Sequence, residues 1–97
     1  MPRSPISEGD VPRSGLPFSP AIRAGDFVYV SGQASVDDAG TIVPDTFAGE
    51  MDRSFRNVER ILVAAGGSLD DVVSVRCYLG SIDDRDEFNQ HYPAWFR

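Results

Sequence analysis

The spacing of six apolar residues constrains this chain more than any other feature. Phe47, Met51, Phe55, Val58, Leu62 and Ala65 follow one another at intervals of 4, 4, 3, 4 and 3. A stripe at that period belongs to an amphipathic helix with one face in a core. Thr46 is placed to cap its N-terminus, and Glu50 and Asp52 lie near the positive end of its dipole. Gly66 is the residue that stops it. Arg53, Arg56, Glu59 and Arg60 fall on its other faces. Packing accounts for the stripe.

Strand signals flank this helix. Ala21-Ile22-Arg23 is a short strand, Gly25-Asp26 a turn, and Phe27-Val28-Tyr29-Val30 a β-branched and aromatic strand. It runs into Ser31-Gly32-Gln33. Ser35-Val36 and Thr41-Ile42-Val43 enclose a hairpin loop at Asp37–Gly40, and Pro44 ends the return. After a capping turn at Ser68–Asp71, residues 72–79 alternate, which predicts a strand with Val73, Val75, Cys77 and Leu79 on its apolar face. A second amphipathic helix follows, capped near Ser81 or Asp83. Phe88, Tyr92 and Trp95 form its apolar face, and Pro93 leaves the Asn89 carbonyl without its helical donor. The order is β-β-β-α-β-α. That predicts an α+β domain with two helices on one face of a mixed, mostly antiparallel sheet.

Ninety-seven residues suit a single domain. Residues 1–17 hold four of the seven prolines and show no periodicity. The expected organisation is a flexible leader over 1–16 and one domain over 17–97. No apolar run is long enough to span a bilayer and no secretory signal follows Met1, so a cytoplasmic protein with no membrane partner is expected. The net charge is −6, and all nine basic residues are arginine. That balance opposes a phosphate backbone, so no nucleic-acid partner is expected. The absence of lysine excludes Schiff-base and P-loop chemistry. A small anion would have to meet an arginine or backbone N–H groups.

Few residues offer catalytic chemistry. Cys77 falls mid-strand, where a thiol is usually inert packing. One cysteine and one histidine cannot build a Cys/His zinc site, and no calcium loop is present, so no metal is expected. His91 has no nucleophile beside it in sequence and reads as a surface or half-buried residue. The Asp37-Asp38, Asp70-Asp71 and Asp83–Glu87 clusters sit at turns and helix starts, where carboxylates cap. Two places stay open. Ser31-Gly32-Gln33 is either a plain strand end or a place where a ligand approaches the backbone. Asn89 is either a solvated helix position or a site amide.

Several blocks in register carry a family resemblance over residues 17–97. Pro17-Phe18-Ser19-Pro20-Ala21 and Ala24-Gly25-Asp26-Phe27-Val28-Tyr29-Val30-Ser31-Gly32-Gln33 resemble the opening of the Rid family. It is also called YjgF or endoribonuclease L-PSP. Arg56-Asn57-Val58-Glu59-Arg60-Ile61-Leu62 with Ala64-Ala65-Gly66 is similar to its first helix. Ser68-Leu69-Asp70-Asp71-Val72-Val73 with Tyr78-Leu79 resembles its next strand, and Phe88-Asn89 with Tyr92 and Phe96 its second helix.

The resemblance implies a chorismate-mutase-like fold and a homotrimer with ligand clefts between protomers. It implies hydrolysis of enamines and imines, such as 2-aminoacrylate, to 2-keto acids and ammonia, with no cofactor. Ser31 and Gly32 would border the cleft, Asn89 would help shape it, and Phe18 would form an apolar wall. Phe18 stands where the family's deaminases carry tyrosine, which removes a hydroxyl and implies either weaker 2-aminoacrylate hydrolysis or a different imine. The family's carboxylate-gripping arginine and water-positioning glutamate would lie after Arg97, with the C-terminal strands. The expectation is therefore a natural chain that continues past Arg97, because an uncovered sheet edge invites aggregation. The alternatives are a non-catalytic, small-ligand-binding or chaperone-like trimeric module and, against the charge balance, a ribonuclease.

Overall fold

The computed structural model describes residues 3–6 and 20–96. Its sheet has three antiparallel strands in the order β1 (Arg3–Ile6), β2 (Ala21–Ala24) and β3 (Phe27–Val30). Register runs from Ile6 opposite Ala21 and from Ala21 opposite Val30. Gly25 takes φ 61° at the first position of the two-residue β2–β3 turn. A glycine there suits the twist of a tight hairpin. Residues 3–6 belong to the segment expected to be a flexible leader, and they form an edge strand instead. Short strands of this kind take their order from the ladder they join, which local composition does not reveal.

Helix α1 covers Phe47–Ala64. Thr46 caps it as expected, its Oγ1 accepting from the Gly49 N–H at 3.2 Å. At the other end Gly66 takes φ 89°. The Gly66 N–H donates to Val63 O at 3.0 Å and the Gly67 N–H to Leu62 O at 2.8 Å. This paired arrangement satisfies carbonyls that the helix end would otherwise leave open. The Arg23 guanidinium on β2 donates to the Ala65 carbonyl, tying the sheet to the same helix end.

The helix buries a wider arc than its stripe. Met51, Phe55, Leu62 and Ala65 are buried as expected, and so are Asn57 and Ile61, which lie off the stripe. Two neighbours explain the width. Phe55 faces the second helix, whereas Ile61 faces the sheet. Ile61 and Ala21 are both fully buried, with Ile6, Val28, Val30 and Ala64 packed around them. On β3 only Val28 and Val30 turn toward α1. Phe27 and Tyr29 point to the other face and are 57% and 63% exposed.

Two expected strands are absent from the described ladders. The 35–43 hairpin is reduced to a single bridge between Val36 and Ile42. Its loop is as expected, with Asp37 Oδ1 accepting from the Ala39 and Thr41 N–H groups at 2.9 Å each. Residues 72–79 join no strand among the described residues, and Val73 and Tyr78 are 84% and 89% exposed. Alternation supplies an apolar face, but a strand also needs a neighbour to take its backbone hydrogen bonds.

The chain closes with α2 (Arg85–His91), preceded by a 3₁₀ turn at Ile82–Asp84 and followed by another at Tyr92–Ala94. Ser81 Oγ accepts from the Asp83 N–H at 3.2 Å, as the capping signal implied. The α-helix stops at His91 and the chain tightens around Pro93, which cannot donate to a fourth-preceding carbonyl. Phe88, Tyr92, Trp95 and Phe96 all converge on Phe55. No helix among the described residues is long and apolar enough to cross a membrane.

Candidate functional site

Ser31 and Gly32 lie where the chain leaves β3. The Ser31 N–H donates to Pro20 O at 2.9 Å. Its carbonyl accepts from Gln33 Nε2 at 3.2 Å. Gly32 is exposed, and a Cβ built there would meet nothing within 4 Å. Its φ is not positive, so no turn geometry demands glycine at this position. The strand end is therefore open to a ligand on the side where a side chain would project.

The polar residues that hold this region come from α1. Asn57 Nδ2 donates to the carbonyls of Ala34 and Val36, at 3.1 and 3.2 Å. Arg53 Nη1 donates to Ser35 Oγ at 3.0 Å, and Ser35 Oγ donates onward to Val43 O at 2.7 Å. Arg60 bridges Asp38 at 2.8 Å and Asn57 Oδ1 at 3.3 Å. Asn57, Ser35, Arg53 and Arg60 were not singled out as site residues from the sequence. The available signal was Asn57 itself, a weak helix former in a helix interior. A groove runs between this face of α1 and the Asp37–Ala39 turn. Asp37 and Asp38 line it opposite Arg53, Arg56 and Arg60, so positive charges outnumber negative ones there by one.

Asn89 sits on α2 and is exposed. Helix α2 packs on α1, while β3 packs on β2 and the other side of α1. Among the described residues no hydrogen bond joins Asn89 to Ser31 or Gly32. Phe18 lies outside the described residues.

The remaining candidates offer no nucleophile. Cys77 is exposed rather than packed on an apolar strand face, because the 72–79 strand does not form. Partial desolvation still holds its thiol above the ordinary value, which keeps it protonated and weakly nucleophilic. His91 Nε2 lies 3.7 Å from Glu87 Oε2, one helical turn away, with no nucleophile beside it. Among the described residues no three His, Cys, Asp or Glu side chains are grouped as a metal would need.

Comparison with known proteins places the chain among relatives. The family described as Endoribonuclease L-PSP matches residues 9–97. A RutC family protein of Pyrococcus abyssi is 35% identical over 97 residues, spanning 99% of this chain and 76% of that protein. The 2-iminobutanoate/2-iminopropanoate deaminase of Bos taurus is 33% identical over 96 residues, spanning 98% of this chain and 70% of that enzyme. The crystal structure of RidA from the Antarctic bacterium Psychrobacter sp. PAMC 21119 superposes with a TM-score of 0.82 at 31% identity, covering 91% of this chain and 72% of the other.

Proposed function

We propose a function from one premise: the chain belongs to the Rid, or endoribonuclease L-PSP, family and has its chorismate-mutase-like α+β fold. The proposed reaction is hydrolytic deamination of small enamines and imines to 2-keto acids and ammonia, carried out in the cytoplasm. The observation that carries this reading is the similarity to the bovine deaminase along nearly the whole chain. The open backbone at Gly32 supports it, since a small planar acid could lie against that strand end.

The chemistry asks little of the protein. Water adds to the C=N carbon of the imine, its protons pass to nitrogen, and the C–N bond breaks as the new C=O forms. Ammonia leaves and the carboxylate is untouched. The carbon is already electrophilic, so the site has only to hold the acid, place the water and favour the developing charge. Neither a covalent nucleophile nor a cofactor is needed. We place Ser31 and Gly32 on one wall, Asn89 of a neighbouring copy on another, and Phe18 as an apolar side. We give the carboxylate grip to none of the nine arginines here.

The assembly proposed is a homotrimer. It is supported by Phe27, Tyr29, Val73 and Tyr78, large apolar side chains that are exposed here and that neighbouring copies would cover. RNA is the disfavoured substrate, because a net charge of −6 repels phosphate.

Ammonia release from enzymatically generated imino acids by the full-length protein tests the reading. Release above the uncatalysed rate is expected, with 2-iminobutanoate as the first substrate. Binding of 2-keto acids without any release would replace the enzyme by a ligand-binding module.

A further inference from the structure

The residues that hold the strand end form a hydrogen-bond network around two buried polar side chains, Asn57 and Ser35, whose donors are all used. Both Asn57 Nδ2 protons go to backbone carbonyls, Ala34 at 3.1 Å and Val36 at 3.2 Å, and Oδ1 accepts from Arg60. The single Ser35 hydroxyl proton goes to Val43 O at 2.7 Å, leaving a lone pair for Arg53 at 3.0 Å. The Ser35 carbonyl accepts from the Val43 N–H at 2.8 Å. Asn57 and Ser35 are the two buried polar residues among those described, 4% and 8% exposed. A buried amide and hydroxyl with every donor proton used admit few alternative arrangements.

Helix α1 does not need this network. Asparagine is a poorer helix former than alanine, and at position 57 its amide serves another segment. That segment is the bend at 34–36, where the Val36 N–H donates back to Ala34 O at 2.9 Å. Upstream, the Ser31 N–H is pinned to Pro20 O at 2.9 Å. Gly32 and Gln33 therefore hang between two anchors, one on the sheet and one on α1. Gly32 is the residue with open space above it, and a glycine left unanchored would sample many conformations.

We infer that Asn57, Ser35 and Arg53 are positioning residues that clamp the 34–36 bend and thereby set the Ser31–Gly32 backbone for a small 2-oxo or 2-imino acid. The identity of that ligand rests on the deaminase reading above. The clamp itself rests on the hydrogen bonds. None of the three residues touches the ligand. Their contribution is to remove freedom from the loop before binding, which would otherwise be lost at the moment of binding.

The test uses two variants that act on different parts of the clamp, Ser35→Ala and Asn57→Asp, each first shown by thermal melting to be folded. Amide hydrogen exchange in the ligand-free protein is the first readout. Exchange at Ser31 and Val36, whose N–H groups donate to Pro20 O and Ala34 O, should rise at least about five-fold in both, the equivalent of one neutral hydrogen bond of the two that each variant removes, with residues 85–91 unchanged. Pyruvate titration and imine hydrolysis are the second readout. The pyruvate Kd and the KM should rise by a similar factor while kcat stays within about two-fold. Ser35→Thr, which keeps the hydroxyl, should restore both. Wild-type exchange at Ser31 and Val36 in the folded variants would overturn the clamp, and so would raised exchange with unchanged Kd and KM. If wild-type protein neither binds pyruvate nor releases ammonia, the deaminase reading fails, and the exchange data alone still decide whether the bend is clamped from α1.

Discussion

Phe55 meets Phe96 edge to face, with 5.2 Å between ring centroids and 87° between ring planes. Phe88, Tyr92 and Trp95 approach the same Phe55 ring at 6.5, 6.2 and 5.7 Å. One side chain on α1 is thus the seat for the whole 88–96 segment. Helix α2 has only seven residues, too few to be helical on its own in water. Its order comes from this contact.

Phe55→Ala should therefore detach α2 from α1 and not merely leave a hole. The expected cost is about 3–5 kcal/mol, the usual range for deleting a buried phenylalanine. Trp95 is the only tryptophan, and its Nε1 donates to Asp52 Oδ1 at 3.2 Å, so it reports on docking directly. Its emission should shift to the red in the variant. A denaturation midpoint and an emission maximum equal to wild type would contradict this account of α2.

Gly32 and Gly66 should respond oppositely to alanine. Gly66 holds φ 89°, where a Cβ is disfavoured by roughly 1–2 kcal/mol. Gly66→Ala should lower the melting temperature by about 5 °C or more for a chain of this length. Gly32 has ordinary φ and open space, so Gly32→Ala should melt within about 0.5 kcal/mol of wild type. Under the proposed function it should nevertheless weaken 2-keto acid binding, because the methyl would occupy the open side. Intact binding in a folded Gly32→Ala variant would move the site elsewhere.

Cys77 alkylation gives a check on electrostatics. Desolvation favours the neutral thiol, so its folded pKa lies above the ordinary value of about 8.5. Reaction with iodoacetamide should be slow at pH 7 and should still be climbing as pH passes that value. The sign for stability follows. The neutral thiol's advantage is fully present below the unfolded pKa and is lost as pH rises through the folded one. Rapid alkylation at pH 7 would show an activated cysteine instead.

The legible parts of this fold were those that local pattern determines. The α1 stripe, the Thr46 cap and the Gly66 stop depend on residues within a few positions of one another, and all three hold. The core residue Ile61 was harder to see. It lies off the stripe because α1 is buried on two sides, and sequence period reports only the dominant side. The 72–79 alternation is real but pairs with no strand among the described residues, since pairing depends on a neighbour that alternation does not specify. Edge strand Arg3–Ile6 failed in the opposite direction, having a partner without a pattern. At the candidate site, Ser31 and Gly32 were visible as a polar strand end. The Asn57 amide that serves the adjoining bend acts across more than twenty residues, and only the fold reveals that distance.

The outward face of β3 leads to the last prediction. Phe27 and Tyr29 lie side by side there, 6.5 Å between centroids, on the face away from Ile61. Two large aromatic residues at 57% and 63% exposure sit beside the stretch that includes Ser31 and Gly32. Under the proposed trimer they are covered by neighbouring copies, and the ligand cleft forms where those copies meet. Tyr29→Glu places a charge in that contact without touching the α1–sheet core. Light scattering of the full-length protein at micromolar concentration should give the mass of three chains for wild type and a smaller species for the variant. Imine hydrolysis should fall together with the mass, because the cleft draws residues from two copies. Circular dichroism and Trp95 emission should not change. A wild-type protein that scatters as a stable monomer would remove the trimer, and with it the idea that Asn89 of one copy reaches Ser31 of another.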